Sequence, residues 1–171
     1  NEGRYNDFVP IVYGTAWYAP PIVFARNDGN LTHAEVLLGM GEIQGVLKVL
    51  VNSVEVPIAQ TGVDMTATGW YSVASRGSRT GEFNPDFRDS AGNALGDPYG
   101  SMAFLSLVVP NRLNDGGALP RVQVLIEGLK VPRFGTDAAY LGDTFDNNPV
   151  WVILDILRRS GWATAEIDLA S

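Results

Sequence analysis

A mainly β fold, barrel-like or sandwich-like and followed by one C-terminal α-helix, is what this sequence predicts, and three observations carry the expectation. Charged residues make up only 18% of the 171-residue chain, which also holds 19 glycines and 10 prolines; an average soluble domain carries roughly 25% charged residues. Runs rich in β-branched and aromatic residues alternate with Gly, Asn, Asp and Pro clusters, the pattern of short strands joined by turns. Helical spacing with both a start and a stop signal occurs once, near the C-terminus.

The elements follow in order. Residues 1–8 are read as a polar linker and 9–146 as a β-rich domain; a start at Asn1 rather than Met suggests a piece of a longer protein. Phe8–Ala16 (FVPIVYGTA) is expected as a strand broken at Gly14, Trp17–Pro21 as an aromatic-proline corner, and Ile22–Ala25 as a short strand. Asn27-Asp28-Gly29-Asn30 is a turn signal, because these residues tolerate positive φ. His33–Leu38, a turn at Gly39-Met40-Gly41, Ile43–Val51, a turn at Asn52-Ser53 and Val54–Ile58 complete the first half. A helix over Leu31–Leu50 is rejected: Gly39, Gly41 and Gly45 would each cost about 1 kcal/mol in its interior.

Between Ser75 and Gly100 periodicity disappears and Gly and Pro accumulate, so residues 75–100 are expected as an extended excursion pinned by Phe83, Phe87 and Tyr99. Ser101–Val109 and Arg121–Lys130 are strands flanking the turn-rich Asn111–Pro120; in the second, Val122 and Val124 alternate with Arg121 and Gln123. Residues 147–171 form the helix and tail, a segment that could belong to an adjoining domain of a longer protein. Asn147-Asn148-Pro149 supplies an N-cap and an N1 proline. Val150, Ile153, Leu154 and Leu157 form the expected buried stripe, Asp155 and Arg159 an i,i+4 pair on the polar side, and Gly161 the stop.

Composition narrows the function. A net charge of −7 argues against nucleic acid or anionic membrane as the main partner. With no cysteine, thiol catalysis, disulfides and zinc-thiolate sites are excluded, and no cofactor is expected. The longest apolar runs, Ala103–Val109 and Val150–Leu154, are far shorter than the roughly 20 residues of a membrane helix. His33 is the single histidine; no G-x-S-x-G elbow accompanies it, and a structural role is expected.

Asp143, Asp146, Asn147 and Asn148 do not match a calcium loop and are better explained by helix capping. Gly39–Gly45 has the spacing G-x-G-x-x-x-G, one residue too long for a dinucleotide fingerprint, and a positive-φ turn explains it better. Glu35, Glu42, Glu55, Glu82 and Glu127 could supply the paired carboxylates of a glycosidase, although solvent-facing strand positions are expected instead. Arg76, Arg79 and Arg88 are read as a solvated loop, and the Asn30-Leu31-Thr32 sequon has weight only in a glycosylating compartment. By its residues alone the chain is a structural or binding module and not an enzyme. Four Trp and six Tyr leave a carbohydrate-binding β module as the alternative, testable as an exposed row of Trp17, Tyr18, Trp70 and Tyr71.

Three pieces of the chain carry a resemblance: the opening Val9–Gly14 (VPIVYG), the unit Gly41-Glu42-Ile43-Gln44-Gly45 leading to Val51-Asn52, and Asn148-Pro149-Val150-Trp151 with Leu154-Asp155-Ile156-Leu157. In that order, with Leu119-Pro120 and Gly128–Pro132 between them, they resemble the tail-tip or baseplate hub proteins of long-tailed bacteriophages. That family includes the tip attachment protein J of lambda-like phages and relatives in gene transfer agents. The resemblance implies a mostly β hub domain of a phage or prophage tail, in which Gly41, Glu42, Ile43, Gly45, Asn52, Asn148, Pro149, Trp151 and Asp155 are structural motif positions. It further implies sister hub subunits, three to a ring, and other tail proteins as partners. Assembly would occur in the bacterial cytoplasm, with the virion tail as the final location.

Overall fold

The computed structural model describes residues 8–56, 71–76, 102–111, 119–163 and 166–167. Among the described residues ten strands precede one helix: β1 Thr15–Tyr18, β2 Ile22–Asp28, β3 Leu31–Met40, β4 Ile43–Val51, β5 Val54–Val56, β6 Tyr71–Arg76, β7 Met102–Pro110, β8 Val122–Leu129, β9 Val131–Phe134, β10 Tyr140–Thr144 and α1 Pro149–Arg159. Two antiparallel sheets, ordered β1-β8-β4-β5 and β2-β3-β7-β6, face each other, and β9 and β10 form a separate hairpin. The sheets do not close into a barrel, so the sandwich form of the expected mainly β fold is the one adopted.

Period-two alternation builds the core. Ala34, Val36 and Leu38 of β3 and Ala103, Leu105, Leu107 and Val109 of β7 turn one face inward; Val122, Val124 and Ile126 of β8 and Val49 and Val51 of β4 meet them from the other sheet. β3 is central in its sheet, and His33, Glu35 and Leu37 on its opposite face are buried as well. Glu35, at 1% exposure, corrects the expectation of solvent-facing glutamates, because both faces of β3 are covered. That leaves β3 with the near-continuous burial of an interior strand.

Turn chemistry sets the registers. Gly29 has φ +57° at the tip of the β2–β3 hairpin, where Asp28 pairs with Leu31, so Asn27 and Asp28 belong to the strand and the turn is Gly29-Asn30 alone. Asn52 and Ser53 both have positive φ (49° and 68°), the mirror-type turn that matches strand twist, as expected between β4 and β5. The turn placed at Gly39-Met40-Gly41 shrinks to Gly41-Glu42, since Gly39 and Met40 continue β3. Trp17 and Tyr18 lie in β1 and only residues 19–21 make the corner; Ser75 and Arg76, assigned to the excursion, close β6. The rest of the excursion, with Arg79, Arg88 and Glu82, lies outside the described residues, as does most of the 1–8 linker.

Of the expected strand Phe8–Ala16 only Thr15 and Ala16 are strand, as the start of β1; residues 8–14 form an irregular strap. The Pro10 carbonyl accepts from the Met40 amide at 2.9 Å in one sheet, while the Val12 and Gly14 carbonyls accept from Leu129 at 2.7 Å and Gly128 at 2.8 Å in the other. One short segment thus bonds to both layers, which a regular edge strand of either sheet could not do. Approach this close demands missing side chains: a Cβ on Gly128 would strike the Val12 carbonyl oxygen, and one on Gly39 would sit 3.0 Å from the Pro10 oxygen.

The helix begins and ends as the sequence suggests. Asn148 Oδ1 accepts from the Val150 amide at 3.0 Å with Pro149 in the first turn. At the far end Gly161, with φ +96°, donates to Arg158 O at 3.1 Å and Trp162 to Leu157 O at 3.2 Å, a Schellman closure. Its buried side is different from the expected stripe. Leu154 and Asp155 are buried and Trp151 half-buried, whereas Val150 and Ile153 are exposed. The covered side includes Asp155, which Tyr13 and Arg159 bind, so the Leu and Val spacing pointed mostly to the face that stays exposed.

Gly128→Ala is therefore expected to destabilise by about 1–3 kcal/mol or more through backbone overpacking. Gly45, with nothing within 4 Å of its Cβ direction, should accept alanine with a change between zero and a gain of about 1 kcal/mol. Urea unfolding of the two variants measures both; equal destabilisation would remove the strap from its central place.

Candidate functional site

Four segments distant in sequence meet where the strap crosses the end of the sandwich: residues 10–14, 39–43, 128–130 and 147–155. Gly41, at φ +81°, turns the chain beneath Leu129, whose Cδ1 occupies the space a Cβ would need. The next residue, Glu42, accepts through its carbonyl from the Lys130 amide at 2.9 Å, and its carboxylate pairs with the Lys130 ammonium. Ile43 then enters the core at 1% exposure. On the helix side, a Cβ on Gly14 would come within 2.9 Å of Asn147 Oδ1.

Asp155 links strap to helix. It was expected on the polar face, yet it is 5% exposed, because its Oδ2 accepts from the Tyr13 hydroxyl at 2.7 Å and from Arg159 Nε at 2.6 Å. The i,i+4 partnership with Arg159 holds, but it runs along the covered side of α1. Burial, and then the hydrogen bond to Asp155, push the Tyr13 phenol up to about 12. Nearby, Arg133 of β9 pairs with Asp146 and stacks 4.7 Å over the Trp151 ring, which fastens the hairpin to the start of the helix.

Of the nine motif positions, Gly41, Glu42, Ile43, Asn148, Pro149, Trp151 and Asp155 converge on this junction or on the helix that completes it. Asn52 does separate work at the β4–β5 turn, where its amide donates to Arg121 O at 2.9 Å and its Oδ1 accepts from the Arg121 amide at 3.0 Å. Gly45 lies within β4 opposite Glu127. The sequence reading missed Tyr13, Lys130 and Arg133 as members, since nothing local marks a residue whose partner is far along the chain.

The other candidates are dispersed. His33 is buried in β3 at 3% exposure. Thr32 of the sequon is buried too, its hydroxyl 2.9 and 2.7 Å from the side-chain oxygens of Asn27 and Asn111. In the acidic cluster Asp143 accepts from the Tyr140 hydroxyl at 2.8 Å, Asp146 Oδ1 from the Asn148 amide at 2.7 Å, and Asn148 caps α1. Among the described residues no three His, Cys, Asp or Glu side chains are grouped to hold a metal. Trp17 is exposed, but Tyr18 is half-buried and its hydroxyl donates to the Leu38 carbonyl. Successive strand residues face opposite ways, so these two rings form no common platform; Trp70 and the Tyr71 side chain lie outside the described residues.

Beside the junction, between the β9–β10 hairpin and the last turn of α1, lies an open cleft of about 660 Å³. Lys130 and Arg159 form its inner wall, already committed to Glu42 and Asp155.

Asp155→Ala should cost about 1–3 kcal/mol, less than the roughly 3–5 kcal/mol of a fully buried pair, because the Arg159 end is 37% exposed. Since the folded-state pKa of Tyr13 is raised, its contribution to stability is present below pH 10 and is lost as the pH climbs toward about 12. The free energy of unfolding measured against pH should therefore fall across that window, and less steeply in Tyr13→Phe. No protein-family model matches the chain, and no curated protein does.

Proposed function

We propose that this chain is a structural domain of a bacteriophage or prophage tail tip, a hub component that packs against sister copies and neighbouring tail proteins during tail assembly. Adsorption or genome ejection would be served through that assembly. The observation that carries the reading is the junction: the segments whose order resembles the hub family are those that join the two sheets to the helix. Their chemistry is positive-φ glycine, helix capping and ion pairing, the chemistry of a scaffold. A trimeric ring and residence in the virion tail belong to the same proposal.

Surface character supports a packing role. Val150, Ile153 and Ile156 are 61%, 56% and 46% exposed on the outer face of α1. The covered side of this 11-residue helix carries Trp151, Leu154 and the Asp155–Arg159 pair, so its more apolar face is the one left uncovered. Grouped apolar exposure of this kind marks interaction surfaces.

Mass spectrometry of particles purified after prophage induction in the source bacterium tests the reading. The tryptic peptide Phe134–Arg158 is expected at low copy beside tail-tube proteins; intact tails without it would sink the proposal. Ile153→Asp separates packing from folding. It should change the stability of the isolated chain by no more than about 0.5 kcal/mol, while excluding the chain from assembled tails.

A further inference from the structure

The cleft between the β9–β10 hairpin and the end of α1 borders the junction at Lys130, Asp155 and Arg159, but its aromatic side takes no part in the scaffold just described. Its volume of about 660 Å³ falls within the roughly 300–1,000 Å³ usual for small-molecule sites. Three aromatic rings line it. Phe134 and Tyr140 stand edge to face with centroids 5.7 Å apart, and Trp162 closes the helix end. Tyr140 and Trp162 are 58% and 52% exposed, an unusual outlay of aromatic surface beside charged groups.

Two polar groups among these rings remain available to a ligand. The Arg158 guanidinium is held 5.6 Å over the Phe134 ring, and among the described residues it makes no ion pair. Asp143 accepts from the Tyr140 hydroxyl through Oδ1, and among the described residues Oδ2 takes no hydrogen bond. The cleft therefore offers flat apolar faces, a planar fork of donors and a carboxylate acceptor together.

That combination selects a class of ligand. A wholly apolar molecule would strip water from Arg158 and Asp143 and give nothing back. A phosphate would meet Arg158 but also the carboxylates of Asp143 and Asp155. A sugar ring has an apolar C–H face for the aromatic rings and an edge of hydroxyls that both donate and accept. We propose that this cleft binds a saccharide ring, stacked on Trp162 and Tyr140 and hydrogen-bonded by Arg158 and Asp143. The proposal stands on the cleft alone and is independent of the tail-tip reading.

The test titrates the whole chain with glucose, galactose, N-acetylglucosamine and glucuronate, singly and as oligomers, followed by tryptophan fluorescence and amide chemical shifts. At least one sugar should give saturable changes at residues 134, 140, 143, 158 and 162. Affinity should fall roughly tenfold or more in Trp162→Ala and in Arg158→Ala, with Trp17→Ala unaffected. Arg158→Lys, which keeps the charge and loses the planar fork, should weaken binding as well, and circular dichroism checks that each variant folds. Absence of saturable binding by every sugar overturns the proposal. So does binding that survives both alanine substitutions, or capture of a Glu-rich peptide in place of the sugars.

Discussion

The structure depends on the close approach of one irregular backbone segment to two sheets at once. Residues 10–14 give carbonyls to β3 through Met40 and to the end of β8 through Gly128 and Leu129. The approach is possible because glycine stands at 39 and 128, where any side chain would meet carbonyl oxygen. Backbone hydrogen bonds are modest individually, about 1 kcal/mol each. Their effect here is positional, since they hold the two layers in a fixed relation at one end of the sandwich. Tyr13, carried on the strap, is thereby delivered to Asp155.

Among the described residues, the hairpin and the helix outside the sandwich hang from that end. The Tyr13–Asp155–Arg159 cluster ties the helix to the strap, the Arg133 contacts with Asp146 and Trp151 tie the hairpin to the helix, and the Glu42–Lys130 pair fixes the turn between β3 and β4. These pairs are partly exposed, so each is weak by itself. Together they orient an appendage whose outer helix face is apolar and whose flank is an aromatic-lined cleft. Scaffold and cleft share Lys130, Asp155 and Arg159, whereas Tyr140, Asp143, Arg158 and Trp162 face the cleft outside the junction pairs, and substitutions there test the two functional proposals apart.

Local signals in the sequence were read well where one element contained both cause and effect. The turn at Asn52-Ser53, the cap at Asn148-Pro149, the stop at Gly161 and the alternation in β8 needed no knowledge of distant partners. Reading failed where the deciding atom lay elsewhere. Phe8–Ala16 has strand composition, yet only Thr15 and Ala16 join a strand, because the carbonyls of Pro10, Val12 and Gly14 are drawn to two different sheets. Asp155 has the look of a surface residue until Tyr13 arrives from the strap. The short strands β9 and β10 were missed, because Val131–Phe134 and Tyr140–Thr144 are too brief to show periodicity.

The sequence by itself determined the β class, most strand positions, the turn at Asn52-Ser53 and the C-terminal helix with its caps, because hydrophobic period, positive-φ residues and caps act over a few residues. It also ruled out thiol chemistry by composition. Only the tertiary structure decided which face of α1 is covered, that β3 is buried on both sides, and which motif residues share a junction. Those outcomes depend on what packs against each surface. Asp155 on α1 and Thr32, His33 and Glu35 on β3 have the character of surface residues until the neighbouring segments cover them.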